Sequence, residues 1–261
     1  MQNNRFKILF LGDIFGSAGR NALKLKLKEI QKEYKIDFTI ANGENSAGGV
    51  GLTPKIAEEL FSYGIDVITS GNHIWRYKEI VPYLKECDRL LRPANYPPLA
   101  PGKGFGIYKK GDLNIGVINI LGRVFMESVD CPFRTTENII SQYMNNVDII
   151  IVDLHAEATS EKQAFAWYFD GKVSAIVGTH THVQTSDALI LPNGTGYITD
   201  VGMTGPHLSV IGMKKEVIIE RFLTGIPKRG SPAKDWVRIE GAILEFKEKR
   251  CVNIYTLRIA L

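Results

Sequence analysis

The first 185 residues alternate between short apolar runs and longer stretches with helical spacing. Each apolar run has the length of a buried strand, and most of the runs end in a glycine or a polar cluster. Because strands that alternate with helices build parallel sheets, this order predicts an α/β fold. The predicted strands occupy residues 6–12, 37–43, 65–73, 113–121, 146–155 and 173–182.

Local signals in the intervening stretches predict where the helices begin and end. Thr53 is expected as an N-cap, with Pro54 in the first turn of its helix. Ser160 and Gln163 predict a capping box for a helix that continues to about Phe169. Two further helices are expected near residues 21–34 and 77–87, and a turn or helix near 136–144.

The pattern changes after residue 185, where turns separate the apolar runs and little helix is expected. A chain that is βαβα first and mostly β later predicts two sheets packed face to face, with helices outside them. We expect a single domain over residues 1–261, since no linker, repeat or low-complexity segment interrupts the chain. The later predicted strands lie within residues 196–202, 216–225, 241–247 and 251–261.

Composition and charge exclude several classes of protein. The chain has 261 residues, of which 44% are hydrophobic and 23% charged, so it can form a sizeable core. Its net charge of +4 is scattered, and nucleic-acid binding is not indicated. No apolar stretch approaches a membrane span, and residues 8–11 are too short for a signal peptide. Cys87, Cys131 and Cys251 lack a CxxC motif, so we expect reduced thiols in a cytoplasmic protein.

Polar side chains of a restricted kind stand directly after the apolar runs of five of the predicted strands. In α/β proteins, ligand sites form outside the carboxyl ends of the strands. Carboxylates can bridge two cations, while imidazole and amide groups complete each coordination shell. These positions therefore predict a site for two metal ions. The residues are Asp13, Glu44, Asn45, Asn72, His73, His155, His180 and His182.

Each of these residues has a simpler interpretation when it is considered alone. Asp13 is suited to be the N-cap of the first helix, and Asn72 to form an Asx-turn. His155 is suited to bond a backbone carbonyl, and His180 with His182 to lie in an exposed polar turn. Their common position after five strands favours the metal site over five independent roles.

The order of these motifs resembles the calcineurin-like metallophosphoesterase superfamily over roughly the first 185 residues. The chain departs from the usual pattern of that superfamily at four places. Phe15 stands where a histidine is usual, and Glu44 with Asn45 replaces Gly-Asp-x-x-Asp. Ile74 replaces a carboxylate, and Thr179 precedes His180 where a glycine is usual. These departures resemble one bacterial branch, the YmdB-type phosphodiesterases. The segments that carry this likeness are "NGEN" (42–45), "GNH" (71–73) and "TDVGMTGP" (199–206).

The resemblance implies a four-layer α/β/β/α sandwich of two mixed sheets flanked by helices. It also implies two metal ions, usually iron with manganese able to replace it, and hydrolysis of small cyclic nucleotides such as 2′,3′-cyclic AMP. A hydroxide between the metals is then the expected nucleophile, since a bound cation lowers the pKa of water. By the same resemblance His73 protonates the leaving oxygen, and its side chain should point away from the metal towards the substrate.

The expected ligands divide between the two metals, with Glu44 as the bridging carboxylate. The first metal is expected to take Asp13, Glu44, Asn45 and His182. The second metal is expected to take Glu44, Asn72, His155 and His180.

Other residues and functions stay open at this point. His207 is expected to be a loop histidine without a chemical role. Asp200 is expected to orient a metal ligand without binding the metal itself. Tyr96 and Phe105 are candidates to stack a nucleobase, although surface packing explains them equally well. A phosphomonoesterase, namely a nucleotidase or protein phosphatase, is an alternative function, and a slow regulatory nucleotide-binding protein is another. A homo-oligomer is expected. Loops at 46–51, 92–106 and 203–210 are candidates to contact the base.

Overall fold

The structure is a computed structural model, and it describes residues 5–261. Within that range the first half of the chain forms β1 (Phe6–Leu11), β2 (Asp13–Ile14), α1 (Gly16–Tyr34), β3 (Phe38–Asn42), α2 (Pro54–Ser62), β4 (Val67–Thr69), a 3-10 helix (Asn72–Arg76), α3 (Ile80–Glu86), β5 (Phe105–Lys110) and β6 (Leu113–Leu121). The second half forms α4 (Pro132–Tyr143), β7 (Ile149–His155), α5 (Thr159–Tyr168), β8 (Ala175–Thr179), β9 (Leu189–Ile190), β10 (Gly196–Ile198), β11 (Met203–Pro206), α6 (Lys215–Thr224), β12 (Val237–Lys247) and β13 (Arg250–Ala260).

The strands form two sheets that both mix parallel and antiparallel neighbours. The first sheet has the order β2-β11-β12-β1-β3-β4, with β13 also paired to β12. In this sheet β1 runs parallel to β3 and antiparallel to β12. The second sheet has the order β5-β6-β7-β8-β10-β9, and its centre, β6 to β8, is parallel.

The alternation of side chains along β1 shows how the layers are built. Ile8 and Phe10 point into a core between the two sheets, which also contains Ile151 of β7. Leu9 and Leu11 point the other way, into a core under the helices of the first sheet. Successive side chains of a strand face opposite sides, so one strand serves two cores. The shared inter-sheet core supports our proposal that the chain forms one domain.

Helices cover the outer face of each sheet. The α1 residues Leu23 and Leu27 pack on the first sheet, together with side chains of α2 and α3. On the second sheet, Ile139 of α4 and Phe165 of α5 fill the outer core. The predicted four-layer α/β/β/α sandwich is thereby confirmed. None of the helices within residues 5–261 combines the length and the apolar character that a membrane crossing requires.

The carboxyl ends of the central strands meet at one edge of the sandwich. In the first sheet Asn42, the last residue of β3, pairs with Thr69 at the end of β4. In the second sheet His155 at the end of β7 pairs with Thr179 at the end of β8. The two sheets also touch here, because Asn42 Nδ2 donates to Asp153 Oδ2 of β7 at 3.2 Å.

Several local predictions need correction. The strand predicted over residues 216–225 is wrong, because Lys215–Thr224 form the helix α6. The pairs Ile218–Phe222 and Ile219–Leu223 are spaced by four, and Gly225 ends the helix with a left-handed φ of 69°. The capping box at Ser160 is wrong, because the N-cap of α5 is Ala158, two residues earlier, and no side chain caps the helix.

The remaining helix predictions differ mainly at the first turn. The Thr53 side chain caps α2 by accepting from the Ile56 N–H, as predicted. The helix expected over 77–87 is shorter, since the chain first forms the 3-10 helix after β4. The helices α1 and α4 begin about one turn before the predicted residues, α4 with Pro132 in its first turn.

Candidate metal centre

The polar side chains predicted from the sequence converge at this edge of the sandwich. Most of them are buried, although carboxylates and histidines usually remain in contact with water. Burial of so many polar groups requires that they bind one another or a ligand. Asp13 lies in β2, Glu44 and Asn45 follow β3, Asn72 and His73 begin the 3-10 helix after β4, His155 ends β7, and His180 and His182 follow β8.

Glu44, His155 and His180 form one compact group. One ligand atom from each residue lies within 4.8 Å of the others. Glu44 Oε1 is 3.2 Å from His155 Nε2, and that nitrogen is 3.0 Å from His180 Nδ1. A carboxylate oxygen with two imidazole nitrogens is a donor set suited to first-row transition metals. This group could hold one cation.

Asp13, Asn45 and His182 form a second group, which contacts Glu44 through Asn45. Asn45 Nδ2 lies 3.1 Å from Glu44 Oε1, 3.1 Å from His182 Nε2 and 3.4 Å from Asp13 Oδ1. Asp13 Oδ1 is in turn 3.6 Å from His182 Nε2. Glu44 therefore contacts both groups of ligand atoms, as a bridging carboxylate would.

Asn72 supplies an independent indication that a ligand belongs here. Its Oδ1 atom is buried and has no hydrogen-bond partner among the described residues. An amide oxygen that has lost water without gaining a donor is costly, and a cation would satisfy it. The preceding residue, Gly71, has no room for a side chain, since a Cβ would lie 2.2 Å from Glu44 Oε2. The residues present thus fit a metal centre.

The nitrogen of His155 that faces away from the cluster is held by a chain of hydrogen bonds. Its Nδ1 is 2.9 Å from Thr179 Oγ1, and that hydroxyl donates to Asp153 Oδ1 at 2.7 Å. The Thr179 hydroxyl can therefore accept from Nδ1–H of His155. This arrangement leaves Nε2 of His155 directed at the cluster.

The other two histidines are held in a similar way. His182 Nδ1 lies 2.9 Å from the Ile211 carbonyl oxygen, which can only accept, so Nδ1 carries the proton. His180 Nε2 lies 3.2 Å from Glu157 Oε2. Each ring has one nitrogen held by an outer partner and the other directed at the cluster, which is typical of histidines that bind metals.

Burial and mutual attraction set the charges of the cluster. Burial alone would raise the pKa of Glu44, but the charge of His155 and its hydrogen bond hold it well below the usual range. Burial opposes the charge on His155, yet Glu44 raises the pKa of that imidazole to about 9. Burial and the charge on His155 lower the pKa of His180 to about 3. In the protein alone, His155 carries the positive charge that a bound cation would supply.

His73 differs from its neighbour Asn72 in being partly exposed. Its Nδ1 is 2.9 Å from Asn45 Oδ1 and 3.2 Å from Glu44 Oε1, and its side chain is 37% exposed. The ring thus lies closer to Glu44 than the sequence argument implied. Its Nε2 makes no hydrogen bond to the part of the chain that the structure describes.

Phe15 occupies the position of the first motif at which a histidine is usual. The ring is buried and packs edge-on against His182, with 5.6 Å between ring centroids and 76° between planes. A phenyl ring cannot bind a cation through a lone pair, so this position supports a neighbouring ligand by packing.

Comparison with known proteins identifies the family. A family model described as YmdB-like protein matches residues 9–257. This chain belongs to the YmdB-like family. The superfamily resemblance drawn from the motifs is therefore confirmed.

Relatives of this YmdB-like protein cover almost its whole length. It is 46% identical over 255 residues to the 2′,3′-cyclic-nucleotide 2′-phosphodiesterase of Bacillus subtilis (strain 168), covering 97% of each chain. A hypothetical protein from Thermus thermophilus superposes with a TM-score of 0.93 at 42% identity, covering 98% of this chain and 99% of the other. A novel phosphatase from Mycoplasma pneumoniae gives a TM-score of 0.93 at 36% identity, covering 98% and 94%.

Apart from Asp200, sequence reasoning missed the residues that support the ligands of this YmdB-like protein from behind. Asp153 precedes His155 by two positions in β7, so both side chains face the same side of the strand. That spacing was a usable signal for Asp153. Glu157 lies two residues after His155, in the connection between β7 and α5. Lys162 carried no comparable signal, because only the packing of α5 against the second sheet brings it to the site.

The remaining candidates have structural contacts in this YmdB-like protein. His207 Nε2 lies 3.2 Å from the Met203 carbonyl oxygen. The Tyr96 hydroxyl donates to Glu127 Oε2, and the Phe105 ring packs on Tyr143 at 4.9 Å between centroids. These contacts explain the three side chains without a ligand.

Proposed function

We propose that this protein is a two-metal phosphodiesterase that hydrolyses small cyclic nucleotides of the 2′,3′-cyclic AMP kind. The observation that carries the proposal is the contact of Glu44 with two converging sets of ligand atoms. The unpartnered Asn72 Oδ1 supports it independently. We propose iron as the native metal, with manganese able to replace it.

The proposed ligands would divide between the two metal positions as the sequence motifs imply. When bound, the cations supply a hydroxide nucleophile near neutral pH and neutralise charge on the phosphoryl oxygens. Glu44 would contribute to both positions, because its carboxylate has two oxygens and contacts both groups of ligand atoms. One position would take Asp13, Glu44, Asn45 and His182, and the other would take Glu44, Asn72, His155 and His180.

His73 is suited to deliver the proton that the leaving oxygen needs. Its Nδ1 is held beside Asn45, so the ring is oriented with Nε2 free. The two ends of an asparagine amide exchange places by a half-turn. With its oxygen given to a cation, the Asn45 NH₂ would donate to Nδ1 and leave the proton of neutral His73 on Nε2. Transfer of that proton to the alkoxide is worth roughly 10²–10⁴-fold in rate.

The relatives support the proposed substrate class. The B. subtilis relative is named as a 2′,3′-cyclic-nucleotide 2′-phosphodiesterase, and it is similar over nearly the whole chain. We infer the same bond for this protein: water adds to phosphorus, the bond to the 2′ oxygen breaks, and that oxygen takes a proton. The product would be a nucleoside 3′-phosphate.

A substrate panel tests the proposed reaction against its alternatives. The metal-loaded protein should hydrolyse 2′,3′-cyclic AMP and bis-p-nitrophenyl phosphate faster than p-nitrophenyl phosphate, and chelation should remove both activities. Faster hydrolysis of p-nitrophenyl phosphate would favour a phosphomonoesterase. Nucleotide binding without turnover of any substrate would favour a regulatory nucleotide-binding protein.

Replacement of His73 by alanine tests the proton donor. His73→Ala should keep both metals, and its rate with 2′,3′-cyclic AMP should fall by roughly 10²-fold or more. The loss should be much smaller with bis-p-nitrophenyl phosphate, whose p-nitrophenolate leaves without a proton. His207→Ala is the matched control, because His207 lies outside the cluster. Equal losses with both substrates would refute the role, and loss of metal would make His73 a ligand.

We further propose that the protein acts in the cytoplasm as a homo-oligomer. The free cysteines support a reducing compartment. The helix α6 supports the oligomer, because Phe222 and Leu223 are 83% and 81% exposed. Light scattering of the purified protein would test the oligomer, and a monomer at micromolar concentration would contradict it.

A further inference from the structure

Lys162 of α5 is buried completely, which is rare for a lysine. Its Nζ donates to the Thr179 carbonyl oxygen at 2.8 Å and to Asp200 Oδ2 at 3.0 Å. The stem of the side chain passes beneath Gly178, where an added Cβ would lie 3.2 Å from Lys162 Cδ. The ammonium group therefore reaches the end of β8 from the helix layer behind the sheet.

Asp200 is equally buried and uses both of its oxygens. Oδ2 accepts from the Thr181 N–H at 3.0 Å as well as from Lys162, and Oδ1 accepts from the Gly202 N–H at 2.9 Å. The lysine thus holds the carbonyl of Thr179, and the aspartate holds the N–H of Thr181. Together the two charged side chains hold the backbone on both sides of His180 by hydrogen bonds.

We call residues 179–182 the histidine turn. Its backbone, which these hydrogen bonds hold, has an unusual conformation. His180 has a φ of 103° and His182 a φ of 64°, both in the region that favours glycine. Such conformations persist only where the surroundings over-determine them. The turn needs them because they direct His180 Nδ1 and His182 Nε2 into the cluster around Glu44.

We propose that Lys162 and Asp200 are a positioning pair that holds the histidine turn in this shape and so aims two imidazoles at the metals. The inference rests on the proposed function for its link to the metals. Neither side chain hydrogen-bonds to a proposed ligand atom, and the pair acts through the backbone. It predicts that the turn loosens, and metal affinity falls, when the pair is broken.

Two measurements test the proposal on Lys162→Met, which keeps the length of the side chain and removes its charge. In metal-free protein, amide hydrogen exchange in the histidine turn should rise at least tenfold while exchange in α1 is unchanged. In a titration with Mn²⁺ alone, the dissociation constant should rise by roughly 10–100-fold, the usual effect of losing an outer partner of a ligand. Lys172→Met removes a half-exposed lysine beside Glu137 and should change neither value.

A double variant covers the case in which Lys162→Met does not fold. Breaking a buried pair leaves an unpaired charge, whereas removing both charges avoids that cost. Lys162→Met with Asp200→Asn should therefore fold and still show faster exchange and weaker Mn²⁺ binding. Unchanged exchange in the turn of either folded variant would overturn the proposal, as would unchanged Mn²⁺ affinity. Failure of the wild type to hydrolyse cyclic nucleotides would overturn the proposed function without affecting these two readouts.

Discussion

A single methyl group at Gly71 should disable the site without disturbing the fold. The φ of Gly71 is −149°, which is not a left-handed value, and the main obstacle to an added side chain is space. A Cβ would lie 2.2 Å from Glu44 Oε2 and 2.3 Å from His155 Nε2, whereas ordinary contact begins at 3.4 Å. Both neighbours are fully buried and cannot swing into solvent. Gly71→Ala must therefore displace the carboxylate or the imidazole by about 1 Å.

That displacement sets the expected magnitudes. Metal sites tolerate departures of about 0.2 Å in ligand distance, so a shift of about 1 Å should empty at least one position. Misplacement by about 1 Å costs on the order of 10²-fold in rate. Overpacking should lower the free energy of unfolding by only about 1–3 kcal/mol, which leaves the protein folded.

The assay is metal content by elemental analysis after purification without chelator, paired with the rate on bis-p-nitrophenyl phosphate and circular dichroism. Gly48→Ala is the matched control, because an added Cβ there has no atom within 4 Å. Its φ of 65° makes the control strained but sterically free, so it should lose stability while keeping both metals. Two full metals and more than half of the wild-type rate in Gly71→Ala would refute the steric argument.

Three further predictions concern the ligands, the thiols and pH. Glu44→Gln should reduce the content of both metals and Asp13→Asn mainly that of one, since a neutral amide is a poor bridge; two full metals in the Glu44 variant would contradict this. Replacing all three cysteines should leave the metals in place. Burial raises the pKa of Cys251 to about 12, so this thiol should react slowly with thiol reagents in the native protein. In metal-free protein the charge on His155 stabilises the fold fully below its ordinary pKa of 6.5, and this stability is lost as pH rises through about 9. The melting temperature of chelated protein should therefore fall between pH 7 and pH 10 more than that of metal-loaded protein, and equal falls would contradict the assignment.

The sequence by itself determined the layers of the fold and the location of the site. Apolar runs such as residues 146–155 are nearly continuous, which is typical of strands that are buried on both faces. Because this hydrophobic pattern is local in the sequence, it predicts the positions of the strands directly. Because strand ends gather at one edge of such a sheet, the side chains after them could be grouped before their distances were known. The helix α6 was missed because a short apolar run does not distinguish a strand from a helix.

Only the tertiary structure decided how the ligands are supported and which backbone conformation their turn adopts. Lys162 is separated from Thr179 by 17 residues and from Asp200 by 38, and nothing local in the sequence links them. Their contact exists because α5 packs behind β8 and directs a long side chain through the layer. The left-handed φ of His180 is likewise invisible in a sequence, since it is imposed by contacts from both sides of the residue. Periodicity and strand ends are properties of the chain, whereas buried charge pairs and strained turns arise only from the packing of distant segments.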